Sequence, residues 1–525
     1  MKLREILEKS AADFETPLLA FPVTVTCAVA LAMLFPGGRC AAWQWWMPAA
    51  AAVAFAFARA PSRRRGIAAA TSFSAFLALV WLATNATAAR QWWDAMRYHC
   101  PAIMMLADGW NPVRQGTFGG IFAATGMRAE WMNAYHVIAM PKGPWYFLAA
   151  ADLFAGNPFN LFLPLYPFLA LACVYAVADA FKHEAPWVRA AAAMFVIGYT
   201  PGFGCIVDAV VGLAGAGLVA TLYSQMRTGR WHWPRLVAFT FWMAVSKQTA
   251  LLHCCAFWIV FLAVKSALKC RDGYLRKTFT TGAICAALAI PVSVSPYVSS
   301  FLDFGHPLYP RCTGNEAKHP AVNITADFLD RNADAAAMGH LGAYVNAYVS
   351  DRIAKTYYAN KLDRPGFMPE CRVWDTPGLP PHTPGSPTSA GARIVFSAAV
   401  LALLAFGGAA ERFVAVCALA GTMLLPTEML GYMRYTPWML SLYVFIVPVV
   451  SRGLERRGRV RLRFAAGAVF ALCVALRFTG EMSRNFADAV KLKRDAAQPQ
   501  AGTVDGCGDK TVRAYAELLR RRTSR

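Results

Sequence analysis

A carboxylate, a guanidinium, a phenol and an imidazole crowd into the stretch Trp93-Asp94-Ala95-Met96-Arg97-Tyr98-His99. Together they suit general acid–base chemistry, which needs a carboxylate within hydrogen-bond reach of the proton it takes. In a helix, Asp94, Arg97 and Tyr98 share one face through i, i+3 and i+4 spacing, so Arg97 can orient the carboxylate. His99 fits either packing or phosphate binding. Four more charged residues stand singly beside apolar runs. Lys142 lies in Met140-Pro141-Lys142-Gly143-Pro144; its neighbours predict a shaped turn, whereas a plain interfacial lysine would snorkel to the headgroups. Asp208 precedes an apolar run and reads as a helix N-cap or as a ligand-facing acid. Lys247 interrupts two apolar runs, where a charge is costly and faces a cavity or a partner. Asp208 is the partner a structural bridge would use. Arg434 is an interfacial anchor or a bidentate phosphate ligand.

The elements that hold these residues are membrane helices. The chain has 525 residues, 57% hydrophobic and 16% charged, with a mean hydropathy of +0.37. Soluble chains carry about 25% charged residues. The uncharged run Gly66 to Thr87 ends just before Asp94 and is long enough to cross a bilayer, which takes roughly 20 apolar residues. Uncharged runs recur along the chain and predict an all-α polytopic membrane protein of about 13 transmembrane helices. Their ranges are 17–35, 42–59, 66–87, 159–181, 187–203, 209–226, 234–247, 250–267, 279–297, 393–409, 413–429, 436–450 and 464–478. No cleavable signal peptide is evident. The divisions are an N-terminal segment 1–65 with two extra spans, a core 66–310, a loop 311–392, C-terminal spans 393–478 and a basic tail 479–525.

The formal charge of +22 is carried in short loops, which points to anionic lipid and positive-inside topology rather than nucleic acid. Arg63-Arg64-Arg65, Lys265 to Lys277, Arg452 to Arg463 and the N-terminus fall on one side, the cytoplasmic one. Loops 88–158 and 311–392 and the tail then lie outside. Residues 144–156 are apolar but short, and predict a helix in the outer interface. Trp43, Trp45, Trp46, Trp92, Trp93, Trp231 and Trp233 read as interface belts. Cys312 and Cys371 could pair in an oxidising compartment. No Cys/His cluster has metal-site spacing.

The order of these elements resembles the GT-C membrane glycosyltransferases, in the branch of protein O-mannosyltransferases and lipid A aminoarabinose transferases. The resemblance spans about 66–450 and rests on six elements. These are Asp94 with Tyr98 and His99, then Pro141-Lys142-Gly143-Pro144 before Trp145-Tyr146-Phe147, then Ile206-Val207-Asp208-Ala209. Ser246-Lys247-Gln248-Thr249, Gly305-His306-Pro307-Leu308-Tyr309-Pro310 and Met433-Arg434-Tyr435-Thr436-Pro437 follow. Ala95 follows Asp94 where the family often has a second carboxylate.

The resemblance implies inverting transfer of a sugar from a polyprenyl-phosphate donor to an acceptor hydroxyl, outside the cytoplasmic membrane. Asp94 would be the catalytic base. Lys142, Arg434, Lys247, Asp208, Tyr98, His99, His306 and Tyr309 would bind substrate. The acceptor is a lipid, a glycan or a protein, membrane lipid is a further partner, and nucleic acid is not. No cofactor is expected, although Asp94 and Asp208 leave a divalent metal open. The alternatives are a polytopic transporter or flippase, a polyprenyl-diphosphate glycan ligase or polymerase, and a non-catalytic membrane scaffold. A transporter would favour internal repeats and midplane charges, and the sequence shows no repeat.

Overall fold

The computed structural model describes residues 2–87, 95–128, 131–132, 134–157, 160–161, 163–199, 206–270, 272–305, 307, 398–423, 440–476 and 513–523. Among them every regular element is helical. In chain order these are α1 Lys2–Leu34, α2 Trp43–Arg59, α3 Arg63–Ala86, α4 Cys100–Ala107, α5 Phe118–Thr125, α6 Ala134–Ala139 and α7 Gly143–Ala155. Then follow α8 Tyr166–Ala180, α9 Pro186–Tyr199, α10 Ile206–Thr228, α11 Trp233–Ser246, α12 Gln248–Ala267, α13 Tyr274–Ser293 and α14 Ser299–Phe304. The last five are α15 at 398–406, α16 Ala409–Met423, α17 Ile446–Arg456, α18 at 460–476 and α19 Arg513–Thr523.

Five described stretches are long and apolar enough to cross a bilayer: Phe14–Leu34, Arg63–Ala86, Val207–Thr228, Gln248–Ala267 and Tyr274–Asp303. The chain is therefore a multi-pass membrane protein, all-helical among the described residues. The hub is α10, almost wholly buried, whereas α3 lies at the periphery. Large apolar side chains such as Leu79, Phe279 and Ile290 are exposed on the outer helices; facing hydrocarbon, they carry no penalty. Lipid is as apolar as leucine, so close packing rather than water exclusion holds such helices together. Gly217 supplies it at the α10–α11 contact, where a Cβ would sit 2.4 Å from the Phe239 ring.

The helix ends follow local rules. Ser62 and Thr117 cap α3 and α5 by accepting from Arg65 N and Gly120 N. Gly126 and Gly156 close α5 and α7 with φ of 70° and 66°, the left-handed region that glycine enters without strain. Asn111 ties the following loop to the end of α1, its Nδ2 donating to Met33 O and Gly38 O at 2.9 Å each.

Two expectations change. The helix at 144–156 does not lie on the surface of the bundle. It is α7, enclosed by protein with Trp145 to Ala151 fully buried against α1, α4 and α11. A helix apolar on every side belongs in a core. Trp45 is likewise core rather than belt, stacked on Phe154 with centroids 5.1 Å apart and edge-on to Phe21 at 5.0 Å. Its neighbours Trp43 and Trp46 are exposed.

Candidate functional site

The site is built where three chain segments meet, the first a π-helical turn at Ala95–His99 that runs on into α4 and the other two chain reversals. That turn is a π-helical bulge, so its registry differs from the plain α-helical face expected for Arg97 and Tyr98; Pro101 near the start of α4 accompanies the change. Tyr98 and His99 are both buried. Their rings lie 4.1 Å apart, and Tyr98 also stacks on His136 at 4.8 Å.

The second segment carries Lys142. Its side chain is almost wholly buried. Nζ donates to Ile138 O at 2.8 Å and Met140 O at 2.5 Å, closing the C-terminal end of α6. A cation there meets the negative end of the helix dipole. Nζ also lies 5.1 Å from the centroid of the Trp145 ring, within cation–π range. Burial pushes the Lys142 amine well below its ordinary range. Trp145 Nε1 donates to His99 Nδ1 at 2.9 Å. The neutral imidazole must then carry its proton on Nε2. One indole thus joins the Lys142 turn to the His99 turn.

The third segment is the break between α11 and α12. Lys247 stands there with extended φ −156° and ψ 142°. Its Nζ meets Asp208 Oδ1 at 2.8 Å, both side chains largely buried. Asp208 was expected at the N-cap; α10 instead begins at Ile206, and Asp208 sits in its first turn. An acid in that turn is favoured by the helix dipole. The bridge foreseen between the two residues is present.

The second and third segments touch. A Cβ on Gly143 would fall 2.7 Å from Val245 O, so only glycine permits this approach. Gln248 Nε2 donates to Ala139 O at 3.4 Å. Tyr98, His99, Lys142, Asp208 and Lys247 therefore gather at one end of the bundle. Asp94, His306, Tyr309, Arg434, Cys312 and Cys371 lie outside the described residues. Among the described residues no three His, Cys, Asp or Glu side chains assemble as a metal ion would need.

Residues that the sequence reading missed complete this end. Trp145 was visible only as part of an aromatic trio, and its bridging role has no sequence signal. Arg522 on α19 stands further along, at the C-terminal ends of α4 and α7. It pairs with buried Asp152 of α7, and its Nη2 donates to Asp108 Oδ1 at 3.0 Å and Met104 O at 2.9 Å. The basic tail thus folds onto the same end as loop 88–158.

No protein-family model, no curated protein and no solved structure matches this chain.

Proposed function

We propose that this protein is an inverting glycosyltransferase that uses a polyprenyl-phosphate sugar at the outer face of the cytoplasmic membrane, on a frame of about 13 spans. One observation carries the reading. The Lys142 turn and the Lys247–Asp208 pair adjoin, and Trp145 joins that turn to the segment that opens with Asp94. Residues far apart in sequence, chosen by the GT-C resemblance, thus converge.

In this reading Asp94 takes the proton of the acceptor hydroxyl. The acceptor oxygen bonds to the anomeric carbon as the bond from that carbon to the phosphate oxygen breaks. The electron pair leaves with the polyprenyl phosphate, and the configuration inverts. Cations must meet the growing phosphate charge, because fixed charges in a dry site stabilise it without reorganisation. Lys247 and Arg434 serve there. Lys142, which already donates to two carbonyls, would offer a third N–H to a phosphate oxygen once the anion's charge restores the proton that burial disfavours. Tyr98, His99, His306 and Tyr309 would shape the sugar and acceptor pockets.

The test is transfer from labelled polyprenyl-phosphate sugars by membranes containing the full chain. Asp94→Asn is expected to lower the rate about 10²–10⁴-fold. Undiminished transfer by that variant, or no transfer by the unaltered protein from any such donor, would overturn the reading.

A further inference from the structure

At the opposite end of the bundle a cleft of about 390 Å³ opens between α9, α17 and α18. Its size falls within the roughly 300–1,000 Å³ of ordinary ligand sites. The walls are apolar: Trp187, Val188, Ile446, Val450, Phe464 and Phe470. Aromatic contacts brace these walls, Trp187 against Phe464 at 5.2 Å and Phe195 against Phe470 at 6.1 Å. Trp187 also covers Gly467, where a Cβ would fall 2.6 Å from its ring. Only one rim is polar. There Glu184 accepts from Ser451 Oγ at 2.8 Å and pairs with Arg463 at 3.3 Å.

The cleft faces lipid. On α18 the side chains of Val460, Phe464, Val469, Leu472 and Leu476 are all exposed. The polar rim continues into the turn joining α17 to α18. Between residues 452 and 463 the chain carries Arg452, Arg456, Arg457, Arg459, Arg461 and Arg463 against Glu455 alone. Arg452 is spent on Glu411, and Arg463 on Glu184 and Glu455. Arg456, Arg457, Arg459 and Arg461 are exposed. An apolar slot entered from hydrocarbon, with exposed guanidinium groups in the turn that adjoins its polar rim, complements a molecule having an acyl chain and an anionic head.

We infer that this cleft binds an anionic phospholipid of the leaflet at the basic end, its acyl chain against Trp187 and its phosphate at the 456–461 turn. Arginine suits that head because its planar fork binds phosphate oxygens in pairs, and basic clusters flanking membrane helices attract anionic lipid. The site is distinct from the Lys142–Lys247 end and does not depend on the transferase reading.

The test uses the full chain in nanodiscs and the fluorescence of Trp187, isolated by subtracting the Trp187→Phe signal. Brominated phosphatidylglycerol should quench it at lower mole fraction than brominated phosphatidylcholine. In Arg459→Ala/Arg461→Ala that preference should fall about fivefold per arginine removed. Val450→Phe, which fills the slot from its lipid side, should abolish quenching by both lipids. Equal quenching by the two lipids, or a preference unchanged in the double arginine variant, would overturn the anionic site. Quenching by neither lipid in protein that melts normally would mean that the chain itself fills the cleft, and would overturn it as well.

Discussion

The two ends of the bundle handle buried charge in opposite ways. At the basic end, cations and acids neutralise one another around the last turn of α10. Arg235 lies between Glu15 and Asp179, donating to Glu15 Oε2 at 2.9 Å and Asp179 Oδ2 at 3.1 Å. Ser224 donates to the same Asp179 oxygen, and His232 Nε2 lies 3.2 Å from it. Lys265 and Gln225 meet Asp272. Glu411 takes Tyr223, Arg452 and the Gly408 amide. Burial opposes ionisation of Glu411 and Asp272, but these partners outweigh it and hold both carboxyls below their ordinary range. At the other end a buried amine is met by two carbonyls and an indole, with a single lysine–aspartate bridge beside it. Satisfied networks specify a fold. A buried amine whose charged form is disfavoured by desolvation is a common mark of functional sites.

The sharpest way to break this contrast is Arg235→Met. It leaves Glu15 and Asp179 buried without their shared cation, and breaking such a group costs about 3–5 kcal/mol. Unfolding in detergent should show that loss, while the KM for donor in the surviving folded protein stays unchanged. A shift in KM would show that the two ends are not separate.

Gly143→Ala strikes the other end. Its methyl meets the Val245 backbone, and overpacking of that kind costs about 1–3 kcal/mol. The larger effect should be on turnover, because the Lys142 turn is pushed off the Lys247 break. Normal turnover with lowered stability would make this contact structural only.

Lys142→Met should change stability least at neutral pH, since it removes both a desolvated amine and its two hydrogen bonds. Its signature is pH dependence. The folded amine is depressed below the ordinary value of about 10.4, so between the two values the unfolded chain binds more protons. Stability contributed by this group is full above about pH 10.4 and is lost as pH falls through the folded value. Wild-type melting temperature should therefore rise on going alkaline across that window, and the variant should rise less. Identical profiles would show that Lys142 is not depressed.

The membrane class was legible in the length of the uncharged runs, because a bilayer demands long apolar stretches whatever the tertiary contacts. The Lys265 and Arg452 loops could be placed together for the same reason. The Lys247–Asp208 bridge was legible because a charge between two apolar runs needs a partner. What could not be read depended on third elements. Whether α7 lies in lipid or in protein is decided by α1, α4 and α11, not by its own composition. Lys142 was legible as a shaped turn, but its two carbonyl acceptors follow from where α6 stops. The π-turn at Ala95–His99 breaks the 3.6-residue registry on which the Arg97–Tyr98 face relied.

The clasp made by Arg522 sets a clock on the birth of the molecule. Asp152 and Arg522 are separated by 370 residues, and at about 5–20 residues per second of synthesis the acid waits roughly 20–70 s for its cation. The membrane helices between them must be inserted first, and the last helix must then reach the same face as loop 88–158. Until it does, the far ends of α4 and α7 lack the guanidinium that bridges Met104, Asp108 and Asp152. A nascent chain can thus be fully threaded through the membrane while α4 and α7 are still unfastened.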